Sequence, residues 1–180
     1  MRWPAVILVL AFTSGALAKE KAVAEDPTPP ADQATALRLT LGATAPISEQ
    51  YETFDLGADV DFGGVRFLDD WMPDLGFHMG FTSHRVAMEP IVAGKRKWLW
   101  DLSGSTFVPY VLLGLAGNLG FNRASTDFGL AARGAAGISF FFSKRYGLTT
   151  EFALDLGPLI APGAAMQAAV RWNIGLDVLF

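Results

Sequence analysis

The segment Trp172-Asn173-Ile174-Gly175-Leu176-Asp177-Val178-Leu179-Phe180 alternates between two kinds of side chain. Successive side chains of a β-strand point to opposite faces of the sheet, so this alternation predicts a strand with two unlike faces. One face is apolar and holds Trp172, Ile174, Leu176, Val178 and Phe180. The opposite face is mostly polar or small and holds Asn173, Gly175, Asp177 and Leu179. A strand of this kind lies between an apolar and a largely polar environment. The rest of the sequence indicates what these two environments are.

The N-terminal region has the features of a secretory signal peptide. Met1-Arg2 is a short basic start, an apolar stretch follows, and Ala16-Leu17-Ala18 is a small-residue cleavage site. We expect a signal peptide over 1–18, a flexible periplasmic leader over 19–33 and one barrel domain over 34–180. The alternative for the first segment is an uncleaved anchor helix, although the charged residues that follow Ala18 argue against it.

Composition restricts the function of the exported part. Residues 19–180 carry a formal charge of −5, because loss of Arg2 leaves 13 Lys and Arg against 18 Asp and Glu. This balance provides no basic surface for nucleic acid. The chain has no cysteine, so no disulfide holds the exported domain together. It is 51% hydrophobic, yet no run of about 18 apolar residues follows Ala18, which excludes helical membrane spans.

Alternating segments fill the region 34–180. A tilted transmembrane strand needs about 9–11 residues, and eight such strands with their turns fit this length. The predicted fold is therefore all-β: an eight-stranded antiparallel up-and-down transmembrane β-barrel. We expect strands at 34–43, 54–62, 75–85, around 98–102, 107–121, 128–142, 146–156 and from about 166. Leu113 and Leu115 are then outward, whereas Arg38, Tyr110 and Arg133 are inward.

Two segments allow other interpretations. Residues 108–117 are apolar enough for a buried helix, but Pro109 and three nearby glycines favour a strand. Residues 86–96 are poorly periodic, so the fourth strand is placed by Trp98, Trp100 and Leu102. We also expect a glycine bulge at 63–64, a strand continuation at 65–67 and a turn at 69–74.

With both termini in the periplasm, the connections at 103–106 and 143–145 are short periplasmic turns. The outer loops are expected at 45–50, 86–96, 122–127 and 157–165. This arrangement also places aromatic residues in two belts at the membrane edges. The periplasmic belt would contain Phe107, Tyr110, Phe140, Phe142, Tyr146 and Phe180, and the outer belt Tyr51, Phe54, Phe81, Phe121 and Phe128.

Three features resemble the small outer-membrane barrel family that includes the transmembrane domain of OmpA and OmpX. They are the segment 109–117, the turn 143–148 followed by Glu151, and the C-terminal Phe180. The resemblance implies a Gram-negative outer-membrane protein that contacts outer-membrane lipid and is inserted by the barrel-assembly machinery. It also implies that the assembly signal is carried by Trp172, Ile174, Leu176, Val178 and Phe180. We expect a monomer without cofactor.

The predicted inner face carries charges of both signs. Isolated buried ions are costly, so these charges must be paired or hydrated. An eight-stranded barrel is just wide enough for its own side chains, which favours a salt-bridged, largely closed lumen over an acid-lined conductive path. The expected lumen charge network consists of Arg38, Asp55, Asp59, Asp61, Arg133, Glu151, Asp155, Arg171 and Asp177.

These observations favour a structural or interaction role for the barrel. A minor porin-like channel is the alternative, and a lipid A-modifying enzyme is the third hypothesis. The histidines are His78 and His84, and Glu89 or Asp127 could supply an acid near Ser83 and His84. Adjacent residues of a strand point to opposite faces, however, so Ser83 and His84 are poorly placed to act together. We therefore predict no catalytic residues and no metal site, while a secreted lipocalin-like binder stays open if the barrel is soluble.

Overall fold

The computed structural model describes residues 30–47, 53–68, 70–102, 105–122, 126–161 and 165–180. Nine strands account for nearly all of these residues. In chain order they are β1 (Ala36–Pro46), β2 (Thr53–Asp61), β3 (Trp71–Phe81), β4 (Arg85–Lys97), β5 (Trp100–Leu102), β6 (Ser105–Asn122), β7 (Thr126–Phe141), β8 (Tyr146–Ala161) and β9 (Ala165–Leu179). No helix long and apolar enough to cross a membrane occurs within the described ranges.

The strands form a closed antiparallel barrel with eight positions around its circumference. Apart from β4 and β5, each strand pairs with its chain neighbour, and β1 also pairs with β9, from Ala36 opposite Leu179 to Pro46 opposite Ala169. β4 and β5 share one position, because both pair with β6 on either side of a break at residues 98–99. The fold class predicted from the sequence is therefore confirmed.

The predicted strand phases are also confirmed. In β6, Leu113 is 60% exposed on the outer face, whereas its neighbour Leu112 is 4% exposed inside the barrel. In β2, Asp55 and Asp61 are buried, and Phe54 and Leu56 are exposed. Residues 108–117 belong to β6, so the helical alternative for this segment is wrong. An apolar outer surface and a polar interior follow from one two-residue period.

The fourth strand lies outside its predicted position. β4 occupies Arg85–Lys97, most of which the sequence assigned to an outer loop, and the segment with Trp100 and Leu102 is only the short β5. The outer face of β4 carries Pro90 and Gly94, while Ile91 is buried inside, so hydrophobicity does not alternate along it. Pro90 has no N–H to donate, and the β4–β6 pairing is interrupted at Glu89 and Pro90.

Several connections also differ from the predictions. β3 begins at Trp71, inside the predicted turn at 69–74, and residues 65–67 belong to the β2–β3 connection instead of a strand. Much of the predicted loop at 157–165 belongs to β8, which extends to Ala161. Ala165 already begins β9. Residues 162–164 of that loop, and parts of the loops predicted at 45–50 and 122–127, lie outside the described residues. The turn at 143–145 lies between β7 and β8 as predicted.

One predicted belt residue is misplaced. Tyr110 is 2% exposed inside the barrel, as its strand phase requires, and therefore cannot belong to the periplasmic aromatic belt. Phe142, Tyr146 and Phe180 are exposed at the same end. Tyr51 lies outside the described residues.

Leu154, near the middle of β8, tests the prediction that alternate side chains of this strand face lipid. It is 41% exposed on the outer face, whereas Ala153 is 3% exposed inside. In lipid vesicles we expect Leu154→Arg to lower the free energy of unfolding by about 2–4 kcal/mol, the cost of Arg at the membrane centre. Ala153→Ser, the control, should cause a much smaller loss. Equal losses in denaturant titrations of the two variants would contradict the phase.

Candidate functional site

The barrel interior contains the densest polar cluster among the described residues and is the candidate site. All nine residues of the predicted lumen charge network are at most 8% exposed. A cluster of buried apolar side chains, four of them alanines, lies among these charges and leaves room for the long arginine side chains. This cluster consists of Ile91, Ala93, Leu112, Ala116, Ala135 and Ala153.

Arg38 of β1 lies at the centre of the first group of contacts. Its Nε donates to Asp177 Oδ1 at 2.7 Å, and its Nη1 lies 3.4 Å from Glu151 Oε2. Its Nη2 donates to Ser139 Oγ at 3.3 Å. Arg38 and Asp177 are direct cross-strand partners, so this ion pair spans the seam that closes the barrel.

Tyr110 of β6 connects Arg38 to the neighbouring charges. Its hydroxyl accepts from Arg38 Nη1 at 2.7 Å and donates to Glu151 Oε2 at 2.9 Å. Its ring centroid lies 4.4 Å from Arg38 Cζ and 4.9 Å from Lys95 Nζ, within the range of cation–π attraction. The ring also occupies the space that a Cβ atom at Gly137 would need, so this close approach requires glycine. The strand phase predicts that Tyr110 points inward, but no pattern in the sequence indicates these contacts.

Arg133 and Arg171 extend the network along the barrel. Arg133 binds Asp155 at 3.3 Å and Glu151 at 3.5 Å. Arg171 pairs with Glu89, with Asp155 at 3.6 Å and with Asp55 at 3.8 Å. Each arginine therefore contacts more than one carboxylate, which distributes positive charge through a narrow interior.

His78 links Arg171 to Asp59. Its Nε2 lies 3.0 Å from Asp59 Oδ1, and its Nδ1 lies 3.4 Å from Arg171 Nη1. A guanidinium can only donate, so Nδ1 is the acceptor in the contact with Arg171, while Nε2 faces the carboxylate of Asp59. His78 is thus a hydrogen-bonded lumen residue.

A second charge cluster lies near the end of the barrel where β1 begins and β9 ends, called here the terminal end. Lys95 Nζ lies 2.5 Å from Asp74 Oδ2 and 3.2 Å from Asp61 Oδ2. Lys97 Nζ lies 2.7 Å from the other oxygen of Asp61. Asp74, Lys95 and Glu89 are absent from the predicted lumen charge network, because they lie on parts of β3 and β4 where the sequence predicts a turn and a loop. A continuous period through β4 would have placed Lys95 and Glu89 on the same face as Arg85.

The residues considered for catalysis do not form a site. Ser83 and His84 are exposed in the turn between β3 and β4. Their expected acid partners have other contacts, since Glu89 binds Arg171 and Asp127 lies 3.2 Å from Arg85. No group of three His, Cys, Asp or Glu residues that could hold a metal ion occurs in the part of the chain that the structure describes.

A cavity of about 40 Å³ lies toward the end of the barrel opposite the terminal end. About 10–15 Å³ of such space holds one water molecule, so this cavity has room for about three. Its polar lining includes Thr44, Arg85, Glu89, Asn118, Gln167 and Arg171. Long side chains therefore fill most of the interior at this level.

Arg38→Met tests whether the charge network is interdependent. The substitution leaves Asp177 and Glu151 without their shared guanidinium, and breaking a buried ion pair costs about 3–5 kcal/mol. Arg66→Met is the matched control, because Arg66 forms an exposed pair with Asp70, which contributes about 0–1 kcal/mol. Denaturant titration in lipid should separate the two variants. A loss for Arg38→Met no larger than for Arg66→Met would show that the lumen charges are not coupled to stability.

No protein-family model and no curated protein sequence matches the chain. Solved structures do match. Neisserial surface protein A (NspA) aligns with a TM-score of 0.60 and 11% identity, over 81% of this chain and 96% of that protein. OprG from Pseudomonas aeruginosa aligns with a TM-score of 0.55 and 12% identity, over 83% of this chain and 97% of that protein.

The outer membrane enzyme PagL aligns with a TM-score of 0.52 and 12% identity, over 79% of this chain and 98% of that protein. The three proteins share an architecture with the chain described here at low sequence identity. The resemblance predicted from the sequence is thereby supported at the level of fold. The chain has the fold of the small bacterial outer-membrane β-barrel proteins.

Proposed function

We propose that the chain is a monomeric integral protein of the bacterial outer membrane, with a structural or interaction role and a lumen closed by its own side chains. The observation that carries this proposal is the filling of the interior by paired charges. Arg38, Tyr110, Lys95 and Arg171 cross the lumen and are each at most 3% exposed. A solute would have to displace several multiply bonded side chains to pass.

The outer surface supports contact with lipid. Leucine, phenylalanine, isoleucine and valine side chains dominate its exposed positions. Examples are Leu39, Val92, Leu115 and Phe152. Trp172 also lies on this face, where its indole Nε1 donates to Thr150 Oγ1 at 3.0 Å and its ring stacks on Phe152. The only indole donor of Trp172 is therefore satisfied within the protein, as an apolar environment requires.

The last strand supports the proposal that the C-terminal residues are the signal bound by the barrel-assembly machinery. The outer face of β9 exposes Trp172, Ile174 and Leu176, and Phe180, directly after β9, is exposed as well. Val178 lies on the same face and is half-buried. We place the terminal end in the periplasm, since the short turn between β7 and β8 lies at that end.

A minor channel is the second candidate, and the charge balance of the lumen favours it. Eight buried acids face five buried lysines and arginines among the described residues. A leak through such an interior would favour cations. A lipid-modifying activity has no comparable support, because Ser83 and His84 lack an acid partner among the carboxylates considered for that role.

Planar-bilayer recording of the refolded protein tests the closed lumen. We expect no discrete openings above the bare bilayer, with gramicidin as the control for a responsive membrane. A closed lumen has no continuous aqueous path, so protein concentration should not change the current. Reproducible openings with a cation-selective reversal potential would replace the structural proposal with the channel.

A further inference from the structure

The residues before β1 fold against the terminal end of the barrel. Gln33 N and Ala34 N both donate to Pro30 O, at 2.8 and 2.9 Å, and form a tight turn. The next carbonyl, Thr35 O, accepts from Phe180 N at 2.9 Å. Residues 30–33, at the end of the predicted leader, therefore belong to a hydrogen-bonded turn, and Thr35 directly after it is bonded to the last residue of the chain.

The turn packs into the barrel opening. Ala34 is 1% exposed and forms an apolar cluster with Ala36, Val108, Phe141 and Leu179, with Ala31 packed against it. These partners come from β1, β6, β7 and β9, on opposite sides of the opening. Ala34 thus fills the centre of the opening with apolar contacts.

Polar contacts hold the same turn from the remaining sides. Lys97 Nζ of β4 donates to Ala34 O at 3.3 Å while it pairs with Asp61 of β2. Gly63, in the β2–β3 connection, lies so close to the carbonyl oxygens of Gln33 and Ala34 that a Cβ atom there would overlap them. The turn therefore contacts residues around most of the barrel circumference.

We propose that residues 31–35 are a seal that closes the lumen at the terminal end, so that water and small ions enter the interior from the opposite end alone. This inference rests on the proposed closed lumen and adds the element that closes it. The two ends differ accordingly, since a polar cavity lies toward the opposite end and an apolar cluster at the terminal end. Displacing the turn would open a path to the cluster of Lys95, Lys97, Asp61 and Asp74.

Cysteine accessibility tests the seal, because the chain contains no natural cysteine. Val108→Cys places a thiol behind the seal, and Thr53→Cys places one on the half-buried rim of the cavity toward the opposite end. Both are labelled in nanodiscs with a charged methanethiosulfonate reagent, which reaches both ends of the barrel. With the seal intact we expect labelling of Thr53→Cys and protection of Val108→Cys.

Two matched pairs of variants then displace the turn. Ala34→Glu puts a charge into the apolar cluster, whereas Gln33→Glu adds the same charge on an exposed neighbour. Gly63→Ala pushes a methyl group against the turn, whereas a methyl group at Gly64 meets nothing within 4 Å. We expect Ala34→Glu and Gly63→Ala to raise the labelling rate of Val108→Cys by more than about tenfold, and Gln33→Glu and Gly64→Ala to leave it unchanged. The rate at Thr53→Cys should be the same in all of them.

Only variants that keep the heat-modifiable folded band are compared, and Gly63→Ala decides the outcome if Ala34→Glu does not fold. Rapid labelling of Val108→Cys with the natural turn, or unchanged protection in folded Gly63→Ala, would overturn the seal. Bilayer recording separates the two proposals. A conducting wild type contradicts the closed lumen, whereas a silent wild type with an ineffective Gly63→Ala contradicts the seal alone.

Discussion

Pairing of β1 with β9 over eleven residue positions closes the sheet on itself. In lipid no water can satisfy a free N–H or C=O group, so an open sheet of this length would have two unsatisfied edges. Closure removes both edges and separates the two sets of side chains that alternate along every strand. The apolar outer surface and the charged interior therefore both depend on this seam.

The short distances between charged side chains in the interior follow from a barrel of eight positions. Such a barrel has a narrow lumen, so charges from strands far apart in the chain come within hydrogen-bond distance. Arg38 and Asp177 pair across the seam itself, and Arg133 and Asp155 pair across β7 and β8. Because most of these groups have two or more partners, the network also restrains the positions of the strands that carry it. The proposed closure of the lumen would thus be a consequence of barrel size together with paired charge.

Much of this architecture could be predicted from the sequence, because a period of two is a local property. It located β1, β2 and β6–β9 and gave the inward phase of Arg38, Arg133 and Arg171. It failed in β4, where Pro90 and Gly94 face outward and Ile91 faces inward. Lys95 and Glu89 on β4 were therefore not predicted to face the lumen, and neither was Asp74, which lies at the start of β3 where a turn was predicted. The turn at 30–34 could not be found either, since its stability comes from Val108, Phe141 and Leu179, which are distant in sequence.

The central claim is that the outer surface of this barrel is adapted to lipid. The most direct measurement compares residues 19–180 refolded in plain buffer, in detergent micelles and in phospholipid vesicles, by circular dichroism, light scattering and heat-modifiable gel mobility. The account predicts a folded, dispersed β-protein in micelles and vesicles alone, and aggregation in plain buffer, because the exposed apolar side chains have no other cover. A monodisperse, β-folded protein in plain buffer would contradict it and would favour a secreted lipocalin-like binder.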